Sequence, residues 1–90
     1  MRLTYKRNTG DNTPEWLLLL SLNVREEFEY KEQYTIEELQ RFIAGEIVKF
    51  YKRRCIKSIV TTFLTEPAGG RKGVAIMRGN TIVQTYYLEQ

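Results

Sequence analysis

The densest group of positive charges in the chain lies in the segment KFYKRRCIKS, residues 49–58. Five of its ten residues are lysine or arginine, and two aromatic rings stand among them. Cationic side chains neutralise phosphates and aromatic rings stack on bases, so this composition is typical of a nucleic-acid contact. A second basic pair, Arg71 and Lys72, follows two glycines in the segment EPAGGRKG, residues 66–73.

If the 66–73 loop folds toward the basic helix end at residues 49–57, the two segments form one basic face. The candidate contacts for a nucleic acid or an acidic partner are then Lys49, Lys52, Arg53, Arg54, Lys57, Arg71 and Lys72. The candidate stacking or interface residues are Tyr51, Tyr86 and Tyr87. A charge run is also ordinary in the last turn of a helix, where cations interact favourably with the negative end of the helix dipole. Both interpretations remain open at this stage.

Catalytic and metal-binding chemistry is poorly represented. The chain has no histidine and so lacks the usual acid–base group near neutral pH. The GGRKG segment lacks the spacing of a Walker phosphate loop, and the glutamates of VREEFEYKEQ are expected to be solvated. Cys55, the single cysteine, has no imidazole base to activate it. The sequence therefore predicts a protein that is not an enzyme, with no cofactor, no metal ion and no small-molecule substrate.

Length and composition predict one compact domain over residues 1–90. A single cysteine cannot close an intrachain disulfide, which indicates a reducing, cytoplasmic setting. The longest apolar run, WLLLL, is far shorter than the roughly 20 residues that span a bilayer, so no membrane segment is expected. The net charge of +3 is uneven, since residues 24–40 hold six acidic and two basic residues whereas 41–72 hold two acidic and eight basic ones. Such a chain presents complementary charges to a partner.

The element that must position the basic segment is an amphipathic helix over about residues 35–53. Thr35 and Glu38 have the spacing of a capping box, in which hydroxyl and carboxylate each satisfy an amide at the helix start. Apolar residues then recur three and four positions apart and form one stripe, at Ile36, Leu39, Ile43, Ile47 and Phe50. The basic residues lie opposite this stripe or in the last turn.

Residues 14–30 are open to two interpretations. The stretch WLLLLSLNV is apolar on all sides, which favours a strand buried on both faces, and EFEYKEQY then alternates as a second strand does. A helix over this region leaves three of its leucines outside the apolar stripe. Against this, Thr13 before Pro14 has the form of a helix start, and leucine favours helices. We expect two strands, with a second helix over residues 14–30 as the alternative.

The remaining segments are rich in β-branched and aromatic residues and predict further strands. RLTYKR alternates near the beginning of the chain, and IKSIVTTFLTE, GVAIMRG and TIVQTYYLE follow the helix. Gly79 and Asn80 provide a two-residue hairpin turn between the last two. TIVQTYYLE is a candidate edge strand that could equally be central. The predicted fold is α+β in two layers, with one main helix packed on a mostly antiparallel sheet of four to five strands.

The segment FEYKEQYTIEELQRFI, from Phe28 to Ile43, resembles the strand-to-helix passage of ubiquitin-like β-grasp domains, where a strand ends just before a capped helix. The resemblance covers less than a fifth of the chain. It implies a β-grasp-like arrangement of the sheet around the helix, and it carries no functional residue to this sequence.

Two functions follow from these observations. The first is a small non-catalytic accessory or regulatory module that binds another protein or a second copy of itself, through a sheet edge or complementary charged faces. The alternative is a small nucleic-acid-binding protein that uses the basic helix end at residues 49–57 and the 66–73 loop.

Overall fold

The computed structural model describes residues 2–8, 12–54 and 58–89, with the backbone alone for Arg2, Arg53 and Arg54. The elements in chain order are β1 (Arg2–Arg7), α1 (Glu15–Phe28), α2 (Ile36–Arg54), β2 (Ile59–Thr65), β3 (Lys72–Arg78) and β4 (Thr81–Glu89). The four strands form one antiparallel sheet in the order β1-β4-β3-β2. The predicted α+β class is confirmed, with four strands and with two helices on the sheet.

The preference for strands over residues 14–30 is wrong, and the alternative of a second helix is confirmed. Helix α1 begins after Pro14, whose backbone is extended and whose carbonyl accepts the first helical bonds from the amides of Leu17 and Leu18. Its buried stripe consists of Trp16, Leu17, Leu20, Val24 and Phe28. Of the three leucines outside the stripe, Leu19 is half-buried against the core, and Leu18 and Leu22 are exposed, which a helix tolerates and which leucine's helix propensity favours.

The sequence predicts α2 closely, over 35–53 against the observed Ile36–Arg54. At its start, the Thr35 hydroxyl accepts a bond from the Glu38 amide at 3.1 Å and donates to the Glu38 carboxylate at 3.3 Å. The cap is therefore formed, although the carboxylate meets the hydroxyl in place of the Thr35 amide. The β-grasp detail is not confirmed, since α1 stands where that arrangement requires a strand.

The three strands after α2 form a meander as predicted. Arg78 pairs with Thr81 across the Gly79 turn, and Gly79 has φ of +60°, a conformation that favours glycine. A one-residue irregularity in β4 lies opposite Ile76 and Met77. TIVQTYYLE, proposed as an edge or a central strand, is central, because β4 lies between β1 and β3. The edges of the sheet are β1 and β2.

Both helices lie on one face of the sheet. Ser21 of α1 reaches Tyr86 of β4, and Gln40 of α2 reaches Thr61 of β2. The core fills the space between these layers and includes Trp16, which is 5% exposed and pairs with the Phe50 ring. In the described part of the chain the opposite face of the sheet is covered by no helix.

Candidate interaction surfaces

The edge strand β2 is apolar, uncharged and exposed. Its sequence IVTTFLT contains no lysine, arginine, aspartate, glutamate or proline. Val60 is 56% exposed and Phe63 is 54% exposed, and Thr62 between them is also exposed. An edge strand carries backbone N–H and C=O groups on its outer side, which can pair with another strand. β2 therefore combines free strand-pairing capacity with two large apolar side chains.

The other edge strand is protected by charge. β1 has the sequence RLTYKR and holds three basic residues in six positions. Lysine and arginine on an edge oppose the approach of a second identical strand, whereas β2 has no such device. The two edge strands of the described sheet are thus chemically different, one basic and one uncharged.

One flank of α2 continues the β2 surface. The Gln40 amide donates to the Thr61 hydroxyl at 2.9 Å, and the Tyr51 hydroxyl donates to the Ile59 carbonyl at 2.5 Å and accepts from its amide at 2.7 Å. These contacts show which side of α2 faces β2. Ala44 and Val48 lie on the same ridge by helical spacing, and Val48 is 50% exposed. We name Ala44, Val48, Val60, Thr62 and Phe63 the edge surface.

The basic helix end and the 66–73 loop lie at opposite ends of α2. The helix end faces the beginning of β2, through Tyr51 and Ile59. The loop follows the end of β2 and shares a cavity with residues 35–37, at the first turn of α2. A helix of 19 residues is about 28 Å long at 1.5 Å per residue, so the described groups do not form one basic face.

The separate candidate cations have different surroundings. Lys49 lies 3.7 Å from the carboxylate of Glu46 at the surface of α2, and Lys52 is exposed. Lys72 is exposed beside the first turn of α2. Lys57 and the side chains of Arg53 and Arg54, like Cys55, lie outside the described residues.

Arg71 is committed to bonds within the protein. Its guanidinium bonds to both carboxylate oxygens of Glu66, donates to Glu89 at 2.7 Å and to the Thr4 hydroxyl at 3.1 Å, and lies 4.6 Å from the centre of the Tyr87 ring. Hydrogen bonding to Glu66 raises the pKa of Arg71, and the same bond lowers the pKa of Glu66. Arg71 therefore joins the loop to β1 and β4 and covers one side of Tyr87.

Tyr86 is buried and belongs to a closed polar network. Its hydroxyl accepts from the Gln84 amide at 2.6 Å, and Gln84 also donates to Ser21 at 2.7 Å. Ser21 donates to the Leu17 carbonyl at 2.9 Å, so the Tyr86 hydroxyl must donate across the 3.1 Å between it and Ser21. Arg7 donates to the side-chain oxygen of Gln84. Tyr86 is thus a core residue, which corrects its assignment as a stacking or interface residue, and burial raises its pKa to about 12.

A cavity of about 260 Å³ opens beside this network, between α1 and β1. Its lining is mixed, with Leu3, Tyr5, Val24 and Phe28 beside Ser21, Arg25, Glu29 and Tyr86. The Tyr86 phenol is neutral near pH 7, and the side chains of Ser21, Gln84 and Tyr86 already bond to one another. The network therefore supplies no free acid, base or nucleophile to the cavity.

Residues 2–8, 12–54 and 58–89 contain no cluster of three side chains able to hold a metal ion. Within those ranges, neither helix has the length and apolar character needed to cross a membrane. No protein-family model, curated protein or solved structure matches the chain. The function is therefore inferred from the chemistry of the exposed surfaces.

Sequence reasoning missed the edge surface. It recognised IVTTFLT as a strand, and the lack of charge in that segment was visible. The strand order, which makes β2 an edge strand, could not be read from the sequence. The same holds for the ridge of α2 that lies beside β2. An uncharged β-branched strand next to a helix end is the signal that could have identified it.

Proposed function

We propose that the chain is a small non-catalytic accessory or regulatory module that binds another protein by strand addition at β2. The observation that carries this proposal is the exposed, uncharged edge strand β2, whereas β1, at the opposite edge of the sheet, is protected by charge. Strand addition uses main-chain hydrogen bonds for affinity and neighbouring side-chain contacts for specificity. Val60, Phe63 and Val48 are the exposed apolar groups available for those contacts. A single cysteine supports a cytoplasmic setting for this role.

Nucleic-acid binding is the weaker candidate. The predicted face required the helix end and the 66–73 loop to converge, and about 28 Å of helix separates them. Arg71 is held by two carboxylates, and Tyr86 is buried. Lys49, Lys52 and Lys72 retain exposed charge and keep this function a prediction that a binding titration can test.

The experiment that tests the proposed function compares two lysine substitutions at equally exposed positions. Val60 on β2 and Leu22 on α1 are each 56% exposed, so Val60→Lys and Leu22→Lys remove similar apolar surface and add the same charge. The tagged chain and both variants are incubated with extract of the source cells, and retained proteins are identified by mass spectrometry. We expect the wild-type chain and Leu22→Lys to retain the same proteins, the chain's own untagged copy included, and Val60→Lys to lose them. Equal retention by all three, or retention by none, contradicts binding through β2.

A further inference from the structure

We infer that the partner at β2 is a second copy of this chain, and that two β2 strands pair antiparallel to make one eight-stranded sheet. This inference rests on the interaction role proposed above and names the partner of that same surface. The two copies are related by a two-fold axis perpendicular to the sheet, which is the commonest symmetry of protein dimers.

The β2 strand is complementary to a second copy of itself. β2 runs from Ile59 to Thr65, and pairing over its full length places Thr62 on the axis, opposite Thr62 of the second copy. Val60 then faces Leu64 of the other copy, and Thr61 faces Phe63. All of these pairs are uncharged, and they bring β-branched and aromatic side chains together, which stabilises antiparallel strands.

The other edge strand, β1, does not favour the same arrangement. Full-length antiparallel self-pairing of β1 would place Arg2 opposite Arg7 of the second copy at both ends of the strand pair. Like charges directly opposite each other destabilise a strand pair. Self-association is therefore directed to β2, and the assembly ends at two charged β1 edges and does not extend into a fibre.

The position of α2 over the strands also fits a dimer formed through β2. α2 packs over both β2 and β3. With its axis midway between the two strands, α2 lies about 2.4 Å to one side of β2, half the strand spacing of about 4.8 Å. The two-fold axis lies another half spacing beyond β2. The two α2 helices are then about 10 Å apart and antiparallel, at the distance at which helices pack.

The flank of α2 that meets its copy suits this distance. Ala44 lies near the middle of the helix and is half-buried, with Gln40 and Val48 on either side along the ridge. A small residue near the axis allows the two helices to approach closely. Contact with the other helix then buries part of the exposed Val48 side chain. The interface thus has a strand pair below and a helix pair above, with Phe63 on the face that the helices cover and with Val60 and Thr62 on the opposite face of the sheet.

The test is sedimentation equilibrium of the full chain from micromolar to near-millimolar concentration, with substitutions of Thr62. Thr62→Lys and Thr62→Glu each place two like charges opposite each other at the axis, and Thr81→Lys changes an exposed threonine of β4 as the matched control. We expect the wild-type chain and Thr81→Lys to reach twice the mass of one chain. Each Thr62 variant alone stays at the mass of one chain, and an equal mixture of the two recovers the dimer, because opposite charges now meet. Circular dichroism spectra that match the wild type establish that the variants are folded.

A wild-type chain that remains at the mass of one chain throughout, or a dimer that Thr62→Lys leaves intact, overturns the inference. A mixture of the two Thr62 variants that stays monomeric overturns the placement of Thr62 on the axis. The proposed function fails separately. A monomeric chain that still retains other proteins through Val60 contradicts self-pairing and supports the interaction role, whereas a monomeric chain with no Val60-dependent partner contradicts both.

Discussion

Substitution of Tyr86 by phenylalanine is expected to destabilise the protein by leaving a buried donor without a partner. The side chain of Gln84 is fully buried, and its two N–H groups point to Ser21 and to the Tyr86 hydroxyl. Tyr86→Phe removes one of these acceptors and changes little of the core volume. An unsatisfied buried donor costs about 1 to 3 kcal/mol in the free energy of unfolding.

The same reasoning predicts that a second substitution rescues the first. In the double variant Gln84→Leu with Tyr86→Phe no buried donor remains, because Ser21 still bonds to the Leu17 carbonyl. Arg7 loses its bond to Gln84, but it is partly exposed and can bond to water. We expect the double variant to be more stable than Tyr86→Phe alone, by roughly 1 kcal/mol or more, since apolar replacement of both partners is nearly neutral.

Urea unfolding followed by the fluorescence of Trp16 measures both effects. With a slope of about 1 to 1.5 kcal/mol per molar for a chain of this size, a loss of about 1 to 3 kcal/mol in Tyr86→Phe lowers the midpoint by roughly 0.7 to 3 M. The control is Gln84→Leu alone, which closes the double-mutant cycle. If the two single substitutions simply add in the double variant, or if Tyr86→Phe leaves the midpoint unchanged, the hydrogen-bond network is not as described.

Three further measurements address the ionisable groups. Burial raises the pKa of Tyr86 from 10.0 to about 12, so the folded chain keeps a proton that the unfolded chain loses in this range. About 3 kcal/mol in the free energy of unfolding is therefore present below pH 10 and is lost as the pH rises to 12. Tyr86→Phe should show a shallower loss of stability over that range. The bond from Arg71 lowers the pKa of Glu66, so this stabilisation is present above pH 4.5 and is lost as the pH falls further; the melting temperature of Glu66→Gln should change less between pH 7 and pH 3 than that of the wild type. Titration with mixed-sequence DNA and RNA at low salt is expected to show no micromolar binding; binding that weakens steeply with salt and is lost in the double variant Lys49→Ala with Lys52→Ala would instead support the nucleic-acid function.

The elements that the sequence predicts well are those with a single consistent periodicity. α2 has one apolar stripe and a capping pair, and the last three strands have β-branched runs bounded by turn residues, so local chemistry and tertiary packing agree. α1 was misjudged because its apolar residues surround the helix. Leu18 and Leu22 are 40% and 56% exposed, and their hydrophobicity indicated a burial that the fold does not provide.

The candidate site was harder to predict than the fold, because its residues are defined by what lies beside them. Arg71 is a type of residue that often binds an anionic ligand. In the fold, however, Glu66 and Glu89 bind it, which are 5 and 18 residues away in sequence. Tyr86 and Tyr87 are adjacent in sequence and lie on opposite faces of β4, one in the core and one under Arg71. Charge density identified a helix end, while the surface that is open to a partner depended on the strand order.

The pairing of β1 with β4 also has a consequence for folding during synthesis. β4 is the only strand beside β1, and Arg7 and Gln84 are 77 residues apart. At about 5 to 20 residues per second, β1 leaves the ribosome roughly 4 to 15 seconds before its partner strand exists. Its arginines and lysine keep the waiting segment soluble, while the β2-β3-β4 meander needs only neighbouring residues to form. β1 therefore cannot join the sheet until β4 has been synthesised, so this long-range pairing forms late.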